Sequence, residues 1–400
     1  MSSDEEFGSD LLRPLKREPG SVSTVDVPRA VADGERRQRT MRLAGSGATA
    51  VVAALGVAGA LLVFQPVDRP GPLDTARSAS APPASATPDG PPVPTACVAA
   101  ALTLPSGRVA KSIVTGADPT GRFVLGRAYP GGERLQVIVW DDGRPNAVDV
   151  PGSDQSLMDA NSVGTAVGYS FVGRDGERTA AWVYRDGKVT QLAGDNAKAH
   201  AVNEAGVIVG QVGGLPALWR TPTSQPTMLA LPGSGWTGGA TGIDDDGTVV
   251  GGLETSGSPA RAGYFWTPDG IVGRLPEPTL KEGPASEFTV MDVRNGWAIG
   301  WAARDAGRVR YIGAPRWNLR TGAVDTTTFM VLSEAVNRHG WIVGIGTTGA
   351  VLVAGGTTVA LPGGDDLSGT IPYSVSDDGR TVAGQTRHGE EPRATVWRCR

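Results

Sequence analysis

Between residues 96 and 400 the apolar positions come in short runs separated by turn residues, and the runs fall into a recurring unit. The stretch from Ala199 to Gly233, AHAVNEAGVIVGQVGGLPALWRTPTSQPTMLALPG, shows it most clearly. A small-residue run (AHAV) meets a turn (NEAG); an apolar run (VIVGQV), a run ending in Trp219 and a run stopped by Pro-Gly (TMLAL) follow. Each run has the length and the β-branched content of a strand rather than a helix. Asn203 and Gly206 supply the turn, since Asn bonds its own backbone and Gly accepts positive φ without strain.

The turn glycine recurs at Gly121, Gly164, Gly206, Gly247, Gly296, Gly340 and Gly379. A second glycine, read as ending the second strand, recurs at Gly126, Gly168, Gly210, Gly251, Gly300, Gly344 and Gly384. Four strands in a period of roughly 40–49 residues are the pattern of propeller blades. The expectation is an all-β, seven-bladed β-propeller over 96–400. The last repeat stops after its third strand (ATVWRCR), while an orphan strand with the fourth-strand ending LTLP precedes the first repeat. Residues 97–105 are therefore predicted to close the ring as the outer strand of the last blade. That closure places Cys97 beside Cys399, close enough for a disulfide. Such a bridge requires an oxidising compartment and contributes at most about 5 kcal/mol by constraining the unfolded chain.

Upstream, the pattern changes. Residues 1–42 are polar and read as a disordered cytoplasmic tail. From Leu43 to Phe64 the chain runs 22 residues without a charge, about 33 Å as a helix, enough to cross a bilayer core. Arg36, Arg37, Arg39 and Arg42 precede it, which keeps the N-terminus inside and makes 43–65 an uncleaved signal anchor. The pairs Gly45–Thr49 and Gly56–Ala60 form the small-xxx-small pattern through which a weak helix-mediated dimer would pack. Residues 66–95, rich in Pro, Ala and Ser, read as a linker that lifts the propeller off the membrane.

The repeats resemble the HAF-type extracellular repeats, predicted propeller-forming units of secreted bacterial proteins. The carrying residues are Ala201–Gly210 with Ala217–Trp219, Ala160–Gly168 and Ala335–Gly344. The His-Ala-Phe triplet that names the family is replaced by Ala-Leu-Trp at 217–219 and Tyr-Phe-Trp at 264–266. The resemblance implies the fold and no definite activity.

Charge and composition narrow the function. A formal net charge of −4 offers no basic face for nucleic acid. The three histidines, His200, His339 and His388, form no metal spacing and no catalytic triad order, so neither a metal nor a cofactor is expected. Asp244, Asp245 and Asp246 occupy the turn filled by Asn203–Gly206 in the neighbouring repeat and lack the closing Glu of a calcium loop. Asp377-Asp378-Gly379 reads the same way, as turn chemistry. The aromatic column Trp140, Tyr184, Trp219, Trp266, Trp317 and Trp397, with Val353 in the sixth repeat, reads as packing between blades.

Two groups of residues are candidate ligand contacts. At one inner-strand position the repeats read Gly116, Asp159, Ala201, Gly242, Asp292, Ala335 and Ser374, so Asp159 and Asp292 stand out, with His200, Glu334 and Tyr373 at neighbouring positions. The loops of one face hold Trp236, expected in an exposed loop, with Arg174, Arg178, Arg304 and Arg308 around it. A membrane-tethered binding or sensor module follows as the leading expectation, its partner an extracellular protein or a carbohydrate. An extracellular propeller hydrolase or lyase using the channel acids is the alternative, and a cell-envelope spacer a third. Clustering of Asp159, Asp292, Glu334 and His200 within hydrogen-bond reach of one cavity is the mark of the enzyme, whereas scattered acids favour binding or scaffolding.

Overall fold

Each repeat unit folds into one antiparallel sheet whose strands keep their order in the sequence. A computed structural model describes residues 90–400 apart from the segments 131–134, 256–257, 308, 328–329 and 364–368. Seven four-stranded sheets follow one another. Blades 1 to 6 span 112–148, 153–191, 197–228, 236–274, 287–327 and 330–360, and blade 7 joins 371–399 to the strand Cys97–Ala101. A two-stranded hairpin, Thr279–Leu280 with Gly283–Pro284, is inserted between blades 4 and 5. The first strands of successive blades touch around the ring, and that of blade 7 meets that of blade 1. The architecture is a closed seven-bladed propeller.

Closure takes the expected form. Cys97–Ala101 pairs antiparallel with Glu391–Cys399, placing Cys97 opposite Cys399, and the two are joined by a disulfide. The tail, the apolar segment 43–65 and the linker up to residue 89 lie outside the described residues. The end of the linker stretch is already part of the domain: Val93 packs on the core shared by blades 6 and 7, and Pro94 is buried.

The core lies between blades rather than at the centre. Blades 2 and 3, for example, meet through Val167, Val183, Ala199, Ile208 and Trp219. The aromatic column belongs to these seams. Trp140, Trp219, Trp266, Trp317 and Trp397 are at most 1% exposed, so each indole N–H needs an internal acceptor. Each donates to a carbonyl just beyond the outer strand of the preceding blade. The acceptors are Thr103 (2.6 Å), Ala193 (2.8 Å), Ala230 (2.6 Å), Pro276 (2.8 Å) and Pro362 (2.6 Å). The Leu-Pro and Leu-Ala endings of the repeats are thus the landing sites of the next blade's tryptophan. In blade 2 Tyr184 takes the position, and in blade 6 Val353.

The turn asparagines link blades as well. Asn203 Oδ1 accepts the Val207 N–H within its own turn, while its Nδ2 donates to the Asp244 carbonyl of blade 4. Asn161 and Asn337 repeat both contacts. Asp244 inverts the polarity: its carboxylate accepts the backbone N–H groups of Asn295 (2.8 Å) and Gly296. Among the described residues no group of three His, Cys, Asp or Glu stands close enough to hold a metal.

The second set of repeat glycines departs from the expectation. They do not end the second strand but lie inside it: Gly168 falls within Ala166–Val172 and Gly300 within Trp297–Ala306. A side chain there is excluded because the inner strand bulges toward it. A Cβ at Gly168 would sit well inside contact distance of the Ser156 carbonyl oxygen, and one at Gly210 likewise against Lys198.

Candidate functional site

That bulge builds the site. In all seven inner strands the pairing register skips one residue at the same place. The skipped residues are Thr115, Met158, His200, Thr241, Met291, Glu334 and Tyr373. Freed from the ladder, all seven line one axial cavity of about 580 Å³. That volume is in the range of small-molecule sites.

The residue after each skipped one faces the next blade, which explains why the position favours small side chains. A Cβ at Gly116 would collide with the Met158 carbonyl. Asp159 and Asp292 put an acceptor there instead. Asp159 Oδ2 takes the Val202 N–H of blade 3 at 2.8 Å, and Asp292 Oδ2 takes the Val336 N–H of blade 6 at 3.1 Å. Asp292 Oδ1 also accepts the Val293 N–H at 2.7 Å. Burial pushes the Asp159 carboxyl up to about 7 against the pull of that hydrogen bond, with the nearby Asp292 charge adding to it. Burial likewise raises Asp292.

Three of the skipped residues spend their polar hydrogens on the main chain. Thr115 Oγ1 donates to the Leu157 carbonyl (2.5 Å) and Thr241 Oγ1 to the Val290 carbonyl (3.0 Å), so only lone pairs remain for the cavity. His200 Nδ1 lies 2.8 Å from the Ala240 carbonyl, which can only accept; the proton is therefore on Nδ1, and Nε2 is left as an acceptor. Burial lowers the His200 pKa and keeps the ring neutral. Glu334 makes no hydrogen bond or ion pair with any described residue, and burial alone raises its carboxyl to about 7. Its charge is felt by Tyr373 in the adjoining blade, whose phenol is raised chiefly by burial.

One end of the cavity is tied shut by charge. Arg294, at the end of the blade 5 inner strand, pairs with Asp377 of blade 7 (2.9 Å) and Asp245 of blade 4 (3.0 Å), and reaches Glu204 of blade 3 at 4.0 Å. Burial opposes its charge, but the Asp377 hydrogen bond and the surrounding carboxylates raise its pKa further. At the end where the inner strands begin stand Tyr169 and the ion pair of Arg127 with Asp154. Tyr169 lies edge-on to His200 and under the Lys198 ammonium.

Asp159, Asp292, Glu334 and His200 all line the cavity, but they come from four blades and no hydrogen bond joins any two of them; Asp159, Asp292 and His200 bond to main-chain groups instead. The expected loop patch does not assemble. Trp236 is not in an exposed loop; it opens the blade 4 inner strand Trp236–Ile243, is half-buried, and stacks edge-on to Tyr264 at 5.5 Å. Arg174 and Arg178 are exposed on blade 2, with blade 3 standing between them and Trp236. Arg304 is held by the inserted hairpin, donating from Nη1 to the Pro284 carbonyl at 2.6 Å. Arg308 lies outside the described residues. Thr115, Met158, Thr241, Met291, Arg127, Tyr169 and Arg294 join the site without having been marked by the repeat pattern. The position immediately before the small residue in each repeat would have supplied four of them.

No protein-family model matches the chain, and no curated protein sequence does. Among solved structures it is similar to the β-propeller domain of the Trilobed protease from Pyrococcus furiosus, with 10% identity and a TM-score of 0.49, covering 72% of this chain and 94% of that one. It is also similar to an oligogalacturonate lyase in complex with manganese, with 12% identity and a TM-score of 0.37 over 78% of this chain and 98% of that one. TolB from Acinetobacter baumannii follows at 13% identity and a TM-score of 0.35, covering 72% of this chain and 63% of that one.

Proposed function

We propose that the chain is a membrane-tethered extracytoplasmic binding module whose propeller holds a small ligand in its axial cavity. The observation that carries this reading is the cavity itself: about 580 Å³, lined from every blade by a residue that the register releases at the same place, with the Glu334 carboxyl bonded to none of the described residues. A half-buried carboxyl that faces a cavity without a hydrogen bond to any described residue is free to bind what enters it. The tether rests on the uncharged run 43–64 with its preceding arginines, and the extracytoplasmic side agrees with the Cys97–Cys399 bridge. The resemblance to HAF-type repeats fits a secreted domain.

A hydrolase or lyase reading has less to build on. Asp159 and Asp292 are occupied by backbone N–H groups of the next blade, and no described serine, threonine or cysteine bonds to His200. Fold alone decides nothing between the two.

The test is ligand retention. The full chain, incubated in detergent with the small-molecule fraction of a cell envelope, is expected to carry a bound compound in native mass spectrometry. Met158→Trp, which fills the cavity, is expected to lose it while melting as the parent does. Retention by Met158→Trp, or no retained compound in either protein, overturns the binding reading. Protease added to intact cells is expected to remove the propeller and spare the tail; a digested tail overturns the orientation.

A further inference from the structure

The polarity of the cavity selects the chemistry of its occupant. Both arginines that line it are already paired, Arg127 with Asp154 and Arg294 with Asp377 and Asp245, so neither is a free cation for an anionic ligand. The other carboxyls that line it are Asp118, Asp159, Asp292 and Glu334; the first three accept backbone N–H groups, and Glu334 alone is left to the cavity. No lysine lines the cavity, and its histidine is neutral. Three belt residues offer only acceptors to the cavity, because the Thr115, Thr241 and His200 hydrogens are spent on main-chain carbonyls. Acceptors from three blades together with the Glu334 carboxyl are complementary to a cation that also carries a second donor.

Blade order fixes where the two ends of such a ligand lie. Glu334 belongs to blade 6 and His200 to blade 3, on opposite sides of the seven-membered ring, with Tyr373 of blade 7 beside Glu334. We propose, building on the axial-cavity reading, that the ligand is a small organic ammonium compound. Its ammonium group sits on the Glu334 carboxylate, and a second donor, a hydroxyl or another amine, reaches His200 Nε2 across the axis. The thioethers of Met158 and Met291 and the Tyr169 ring supply the apolar wall against which the carbon skeleton lies. A bare metal ion does not fit, since the acceptors come from different blades around a cavity far wider than a coordination sphere and no close group of three ligating carboxylates or imidazoles exists among the described residues.

Calorimetric titration of the full chain in detergent tests this with matched probes. The pairs are putrescine against butane-1,4-diol and glucosamine against glucose. At least one amine is expected to bind, its neutral counterpart at least tenfold more weakly. Glu334→Gln keeps the shape and removes the charge, so it is expected to weaken the amine at least tenfold while melting no lower than the parent at neutral pH. His200→Phe is expected to weaken the two-ended probe and leave methylammonium unaffected. Equal binding of a neutral counterpart, undiminished amine binding by Glu334→Gln, or no amine binding up to millimolar concentration overturns the ammonium assignment. Loss of a retained envelope compound on filling the cavity with Met158→Trp would leave the binding reading standing in each of those cases. Failure of both experiments removes both.

Discussion

At the scale of the residue, Glu334 and Asp159 store a pH dependence that the fold must show. The Glu334 carboxyl rises from 4.5 to about 7 through burial, and Asp159 from 3.8 to about 7 through burial. Between the ordinary and the raised values the native state holds protons that the unfolded chain has released. Stability therefore falls as pH rises from the ordinary carboxylate range through about 7, and levels off above it. Melting temperature measured between about pH 5 and about pH 8 is expected to fall for the parent and to fall less for Glu334→Gln, which has no proton to lose there. Parallel profiles would show that the Glu334 carboxyl is well solvated in the native state. The same two residues show what a sequence discloses. Asp159 and Asp292 were conspicuous among glycines and alanines, yet the position is selective because the next blade presses on it, and an acid survives there by accepting a main-chain N–H. Glu334 sits one place earlier, at a bulge that breaks the period-two alternation, so no strand pattern marks it as facing the axis.

At the scale of the element, the features written in local chemistry were legible and those created by neighbouring strands were not. Asn-x-x-Gly turns and the Trp-ending strands were read correctly because each follows from a backbone preference or a repeated packing site. The second glycine of each repeat was misplaced at a strand end, since the bulge of the inner strand that requires it is a tertiary feature. Trp236 was taken for a loop residue for a related reason: the glycine-rich start GSGWTGG reads as a turn, but the inner strand begins within it and the ring packs on Tyr264. The turns at the axis add a device no single repeat contains. Arg294 gathers carboxylates from three other blades, its side chain only 16% exposed. Removing it strands Asp245 and Asp377 next to one another. Arg294→Met is expected to lower stability by about 3 kcal/mol, the range for breaking a partly buried ion pair from one side. The urea midpoint measures this. An unchanged midpoint would place the network among ion pairs that contribute nothing.

At the scale of the molecule, a ring of blades is held together only as well as its last seam. Blade 7 takes its outer strand from the start of the domain, so the pairing of Cys97–Ala101 with Glu391–Cys399 joins the two ends of the domain. Three further contacts use the same segment. The Thr103 carbonyl accepts the Trp140 indole of blade 1, Leu102 and Leu104 enter the core between blades 7 and 1, and the disulfide fixes the register. Loss of the covalent link and loss of the strand therefore have different consequences. Cys97→Ser keeps the ladder and the indole acceptor; it is expected to give a folded propeller that melts earlier and no longer responds to reductant. The loss is at most about 5 kcal/mol, the chain-entropy limit for a loop of this length, because residual structure in the unfolded chain reduces what the bridge removes from it. Deleting residues 96–105 removes ladder, acceptor and core leucines together. It exposes the edge of Glu391–Cys399, which is then free to pair with another chain. The deleted protein is expected to be aggregated or oligomeric in light scattering where Cys97→Ser is not. A monomeric, thermally unchanged deletion would mean that the seam between blades 7 and 1 is held by core packing alone and that the closing strand is dispensable.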